Sequence, residues 1–93
     1  MNTVDVAHDL LGVVPIIVSE RGMGQPITAY YTDVPMQALP ATCHLAPTDT
    51  GFVLEGKMGD YSYQGNLISG SDPTRFRRAV VSFLYNPQTV VVH

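Results

Sequence analysis

Turn signals constrain this chain more than any other feature. RGMGQ at 21–25, TDTG at 48–51, Gly59-Asp60 and Asn86-Pro87 each mark a reversal or a stop, and Pro35, Pro40 and Pro47 divide residues 35–50 into short pieces. The segments between these breaks are short and rich in β-branched and aromatic residues, which fit a pleated, half-buried surface. VVPIIVS (13–19) reads as a strand. Pro15 has no N–H to give to a ladder, so this strand lies at an edge or the proline stands at its start. ITAYYTDV (27–34) is its hairpin partner across RGMGQ. ATCHLA fits a strand between two prolines. FVLEGKM and YSYQGNLIS form a second hairpin across Gly59-Asp60, with Tyr61 and Tyr63 on one face, and QTVVVH (88–93) reads as a last, buried strand.

Two segments read as helices. Thr3 is placed to cap a short helix over residues 4–11, with Val4, Ala7, Leu10 and Leu11 at helical spacing and Gly12 at its end. SDPTRFRRAVVSFLYNP carries a stronger pattern. Asp72 is an N-cap candidate, and Pro73 suits the first helical position. Phe76, Ala79, Val80, Phe83 and Leu84 form one apolar stripe, while Arg75, Arg78, Ser82 and Tyr85 lie on another face. Asn86-Pro87 stops the helix. The expectation is a single α+β domain over residues 1–93. It has a mostly antiparallel sheet of five to six strands, a short N-terminal helix, and a longer C-terminal helix packed on one face.

Composition narrows the function. The chain has 93 residues and a net charge of −3, and only 14% of its residues are charged, against about 25% in a typical globular domain. So few charges imply either a neutral polar surface or an apolar surface covered by a partner. There is no basic excess, which argues against nucleic acid as a partner. Cys43 is the single cysteine, so no intrachain disulfide supports the fold. The N-terminal stretch lacks a basic region and carries Asp5 and Asp9, so it does not read as a signal peptide. The apolar run LLGVVPIIV is far shorter than the ~20 residues of a membrane-spanning helix. The expected location is the cytoplasm, with no membrane partner.

The motifs that suggest chemistry are incomplete. GFVLEGKM (51–58) matches a phosphate-binding loop up to Met58, which stands where Ser or Thr would hold magnesium. Its interior is bulky and strand-forming, and a turn and another strand follow, so it reads as one arm of a hairpin. GSD before the C-terminal segment could present amides to an anion, but Asp72 would occupy them with its own carboxylate. Cys43-His44 are adjacent; in a strand their side chains point to opposite faces and cannot act on each other. Cys43 reads as a buried structural thiol. His8, His44, His93 and Cys43 show no zinc spacing. No cofactor, metal or catalytic site is expected.

Binding is the reading that remains. Residues 34–48, VPMQALPATCHLAPT, contain no Asp, Glu, Lys or Arg. Prolines hold much of this run out of regular structure, so Met36 and Leu39 lie on an apolar loop that something must cover. Met23 and Met58 stand in or beside turns, where flexible thioethers suit adaptable contacts. Arg75, Arg77 and Arg78 are the one charge cluster, and Arg75 and Arg78 can orient a partner's carboxylates. The expected function is a non-enzymatic protein-binding module, with Met23, Met36, Leu39, Met58, Arg75 and Arg78 as contacts. It would be an inhibitor or adaptor of the kind that a virus or mobile element encodes. The alternatives are a structural component that self-assembles into a homo-oligomer by strand pairing, and a small enzyme or ligand-binding domain with its site at a subunit interface. Because neither metal nor disulfide is expected to support the fold, the denaturant midpoint should be the same with and without reductant or chelator. A clear fall in EDTA would show a structural metal.

Overall fold

The computed structural model describes residues 2–19 and 26–87. The expected turn RGMGQ and strand QTVVVH lie outside the described residues, as does Met23. The described elements are one α-helix, α1 (Thr3–Leu10), a single 3-10 turn at Met36–Ala38, and six strands. The strands are β1 (Ile16–Ser19), β2 (Ile27–Pro35), β3 (His44–Thr48), β4 (Gly51–Met58), β5 (Tyr61–Ser69) and β6 (Arg75–Tyr85). They form one antiparallel sheet in the order β1-β2-β6-β5-β4-β3. β3 to β6 follow one another as hairpins, and β2 lies beside β6. The chain therefore has to travel from β2 to the far edge before β3 begins.

α1 starts one residue earlier than expected. Asn2, not Thr3, is the N-cap: its side chain accepts from the Asp5 N–H at 2.9 Å, and Asp5 answers to the Asn2 N–H in a capping box. Val6, Ala7, Leu10 and Leu11 are buried. Gly12, at φ +70°, takes the left-handed conformation that ends the helix. The hairpins across 49–50 and 59–60 form where the turn signals lie. Gly59, at φ +61°, fills the first position of a two-residue loop, where a turn matching strand twist favours glycine.

The expected C-terminal helix is a strand. Residues 75–85 form β6, the longest strand, paired along its length with both β2 and β5. The apolar stripe at helical spacing coincides with an alternation: Ala79, Val81 and Phe83 are buried, while Val80, Ser82 and Leu84 point to the other face. Neighbours on both sides favour the extended form of this β-branched and aromatic sequence, overriding the helical pattern. Asp72 caps no helix. Its Oδ1 accepts from the Thr74 N–H at 2.9 Å and the Thr74 hydroxyl at 2.7 Å, which closes the β5–β6 turn from inside. These bonds hold the Asp72 carboxyl below the usual carboxylate range.

Among the described residues, one face of the sheet is covered. Ala29 and Tyr31 from β2, Leu54 from β4, Tyr61, Tyr63 and Leu67 from β5, and Ala79, Val81 and Phe83 from β6 pack there with α1. Leu39 and Cys43, from the β2–β3 connection, pack on the same core. Ala38 lies beside Gly12 at the end of α1. The connection is therefore a strap beside the helix, and the two make up the second layer. Cross-strand pairs reinforce the core: Tyr63 and Phe83 sit opposite one another with ring centroids 6.1 Å apart, and Tyr61 and Tyr85 at 5.2 Å. Tyr31 ties the layers together. It is fully buried, and its hydroxyl donates to the Ala7 carbonyl at 2.5 Å, one of the four at the helix end without a helical partner.

Phe83→Ala should destabilise the protein by about 3–5 kcal/mol, while Arg78→Ala should have little effect; denaturant unfolding measures both. Equal, small losses would mean that Phe83 does not face the core. Tyr31→Phe should cost about 1–3 kcal/mol by leaving the Ala7 carbonyl unpaired. Burial also pushes the Tyr31 phenol far above its ordinary range. The folded state therefore keeps a proton that the unfolded chain releases near pH ~10, so stability falls as pH rises beyond that point. Alkaline melts should show a shallower fall for Tyr31→Phe than for the wild type, and identical slopes would contradict the assignment.

Candidate functional site

The second face of the sheet has no described element packed over it. Strand register sorts its side chains into rows that cross the strands. One row runs Ile16, Tyr30, Val80, Asn66, Val53 and Ala46, one residue from each strand, apolar apart from Asn66. The next runs Thr28, Ser82, Gln64, Glu55 and His44 and is polar throughout. Beyond it lie Leu84, Ser62 and Lys57. On the other side of the apolar row stand Thr32, Arg78 and Ile68. Ile16, Val53, Val80 and Leu84 are all exposed, Ile16 by 66%.

The polar rows enclose a groove of about 780 Å³. Glu55, Lys57, Ser62, Gln64, Ser82 and His44 supply its functional groups. It crosses the strands from β2 to β3, a span of roughly 19 Å at the ~4.8 Å strand spacing. Along β4, β5 and β6 it is lined by three consecutive residues each: 55–57, 62–64 and 82–84. The outer two of each triplet point into it, and the middle residue belongs to the opposite face. The Thr28 and Ser82 hydroxyls are 3.3 Å apart at the β2 end. One carboxylate, one ammonium, an amide, an imidazole and several hydroxyls make this a surface that both donates and accepts hydrogen bonds without a dominant charge.

The residues expected to form a binding patch do not converge. Met36 is 44% exposed and opens the strap; its N–H donates to the Thr74 carbonyl at 2.9 Å, which places it beside Arg75. The Arg75 Nε donates to Asp33 Oδ1 at 2.7 Å, an exposed ion pair of small energetic weight. Asp33 holds φ +54°, and at this level the inward alternation of β2 shifts from Tyr31 to Val34. A smaller pocket of about 230 Å³ is lined there by Asp33, Asp72, Arg75 and Arg77, with its charges balanced. Leu39 and Met58 pack against the core. Arg78 lies on the uncovered face, between Thr32 and Ile68.

Cys43 lies just ahead of β3 and His44 opens it, and the two side chains diverge. Cys43 is half-buried against the core, and burial raises its thiol pKa, which opposes nucleophilic chemistry. His44 faces the groove. Tyr63 lies on Gly56 of the neighbouring strand, and its buried hydroxyl has no hydrogen-bond partner among the described residues. Its pKa is raised by burial and, secondarily, by Cys43. Lys57, the residue that made GFVLEGKM resemble a phosphate loop, stands on β4 opposite Ser62, and a turn into β5 follows instead of a helix. Among the described residues no cluster of His, Cys, Asp and Glu could hold a metal, and no helix is long and apolar enough to cross a membrane.

Comparison with protein-family models, curated proteins and solved structures finds no match. The groove residues were partly legible in the sequence. Ser62, Gln64 and Asn66 alternate with Tyr61, Tyr63 and Gly65 in β5, and the same alternation runs through Val80 to Leu84 in β6. Reading residues 72–85 as a helix hid Ser82 and Leu84 from the site and put Val80 in the core.

Proposed function

We propose that this chain is a non-enzymatic protein-binding module that meets its partner through the uncovered face of the sheet. The observation that carries this reading is the apolar row on that face, in which Ile16, Val80 and Val53 are exposed and Tyr30 between them is half-buried. It lies between Arg78 on one side and the polar groove on the other. Exposed apolar surface rimmed by polar groups is characteristic of contact sites. The contact moves from the strap, as the sequence suggested, to the sheet, because Leu39 and Met58 are engaged with the core. Arg78 is retained.

Charge specifies the partner. In the cross-strand rows of this face described above, one acid, Glu55, stands with two bases, Lys57 and Arg78. The protein is acidic as a whole, while these rows are close to neutral with one base in excess. A partner that fits presents an apolar centre flanked by carboxylates, which the Arg78 guanidinium can hold in two-point fashion. Val80, on the central strand, supplies the anchor, and the groove supplies hydrogen bonds that set orientation.

Affinity capture from a lysate of the cells that make this protein tests the reading. Val80→Asp and Arg78→Glu should each lose the specifically captured protein while their unfolding midpoints stay near that of the wild type. Met36→Asp should retain it. Equal capture by wild type, Val80→Asp and Arg78→Glu, with loss in Met36→Asp, would return the contact to the strap and sink the proposal.

A further inference from the structure

The two edges of the sheet formed by the described residues are not equivalent. β3, at one edge, contains Pro47, which cannot donate to an added strand. β1, at the other, has no proline within Ile16–Ser19, and residues 10–19 carry no charged side chain. Edge strands in soluble proteins are ordinarily protected by charge, proline or a covering element. β1 has a register irregularity between Ile17 and Ser19 but neither of the first two protections. Its side chains divide cleanly. Ile17 and Val13 pack toward the core, while Val14, Ile16 and Val18 are 79%, 66% and 63% exposed.

We infer that β1 is a self-association edge, and that its occupant is β1 of a second copy of this chain. The argument is complementarity. An added antiparallel strand places directly opposite residues on the same face of the extended sheet. Whatever pairs with β1 must therefore offer apolar residues opposite Ile16 and Val18. Among the described edges β1 itself does so. In a register centred on Ile17, Ile16 of one copy faces Val18 of the other, and the pair repeats across the twofold axis. No charge is desolvated. The twofold stands perpendicular to the sheet, so both copies keep their uncovered faces on the same side. The row Ile16, Tyr30, Val80, Asn66, Val53 and Ala46 of one subunit then ends against Val18 of the other. This association shares Ile16 with the partner contact proposed above but runs through the strand edge and not the sheet face, and either can fail without the other.

Light scattering across a concentration series measures it. The wild type should reach twice the 10.1 kDa of the chain at high concentration. Ile16→Lys and Val18→Lys should remain at the mass of one chain with unchanged circular dichroism and unfolding midpoint. Val53→Lys, on the same face but far from the edge, should still dimerise. A wild type of single-chain mass at every concentration overturns the inference. So does a dimer that survives both edge variants, which would place the contact elsewhere. A dimer lost equally in Val53→Lys overturns it as well, since that result assigns the contact to the sheet face.

Discussion

β6 is hydrogen-bonded along both sides, to β2 over Ile27–Pro35 and to β5 over Tyr61–Ser69, and the character of both faces follows from that constraint. Once residues 75–85 are extended, their side chains alternate. Ala79, Val81 and Phe83 go to the core, and Val80, Ser82 and Leu84 go to the opposite face. The partners on β2 and β5 must alternate in step. Tyr31 and Leu67 are therefore buried with Ala79, while Tyr30 and Asn66 stand outward with Val80. A single strand thus sets which residues stabilise the protein and which are free to act on something else.

A chain of this length has little material with which to cover a six-stranded sheet. Its one described α-helix has eight residues, and a strap of similar length, which opens with the 3-10 turn Met36–Ala38, runs beside it. Both lie on the same side. The Tyr31 hydroxyl on the Ala7 carbonyl fixes the helix to the sheet, and Leu39 and Cys43 bring the strap down on the remainder of the core. The other face is left with its mixture of apolar and hydrogen-bonding side chains. The low charge content noted in the sequence has its structural counterpart here. Most described acidic residues lie on α1, in turns or at the Asp33 irregularity, and leave the uncovered face nearly neutral.

Local chemistry made much of the fold legible. Gly59-Asp60 and TDTG located two hairpins because glycine and Asx residues satisfy particular backbone conformations without help from elsewhere. Tyr61 and Tyr63 fell on one face because period-two alternation is a property of the strand alone. Pro15 marked either an edge strand or a strand start within 13–19, and β1 is an edge strand that begins one residue after it. β6 was misread because RFRRAVVSFLY satisfies two periods at once: Phe76, Ala79, Val80 and Phe83 make a helical stripe, and Ala79, Val81 and Phe83 make an alternation. Asp72-Pro73 compounded the ambiguity, since an Asp that closes a tight turn on Thr74 looks in sequence like one that caps a helix. What decides between the periods is pairing with β2 and β5, which are distant in sequence. The candidate site was obscured for the same reason. It is a set of cross-strand rows, and a row exists only once the register of several strands is known.

Thiol labelling along β6 tests the account most directly. Single cysteines placed at positions 79 to 84 on a Cys43→Ser background can be compared for reaction rate with a water-soluble maleimide under native conditions. The structure predicts fast labelling at 80, 82 and 84 and protection at 79, 81 and 83. Protection at 79, 80, 83 and 84 with fast labelling at 82 would be the signature of a helix. That pattern would contradict the sheet order, the uncovered face and the function proposed for it.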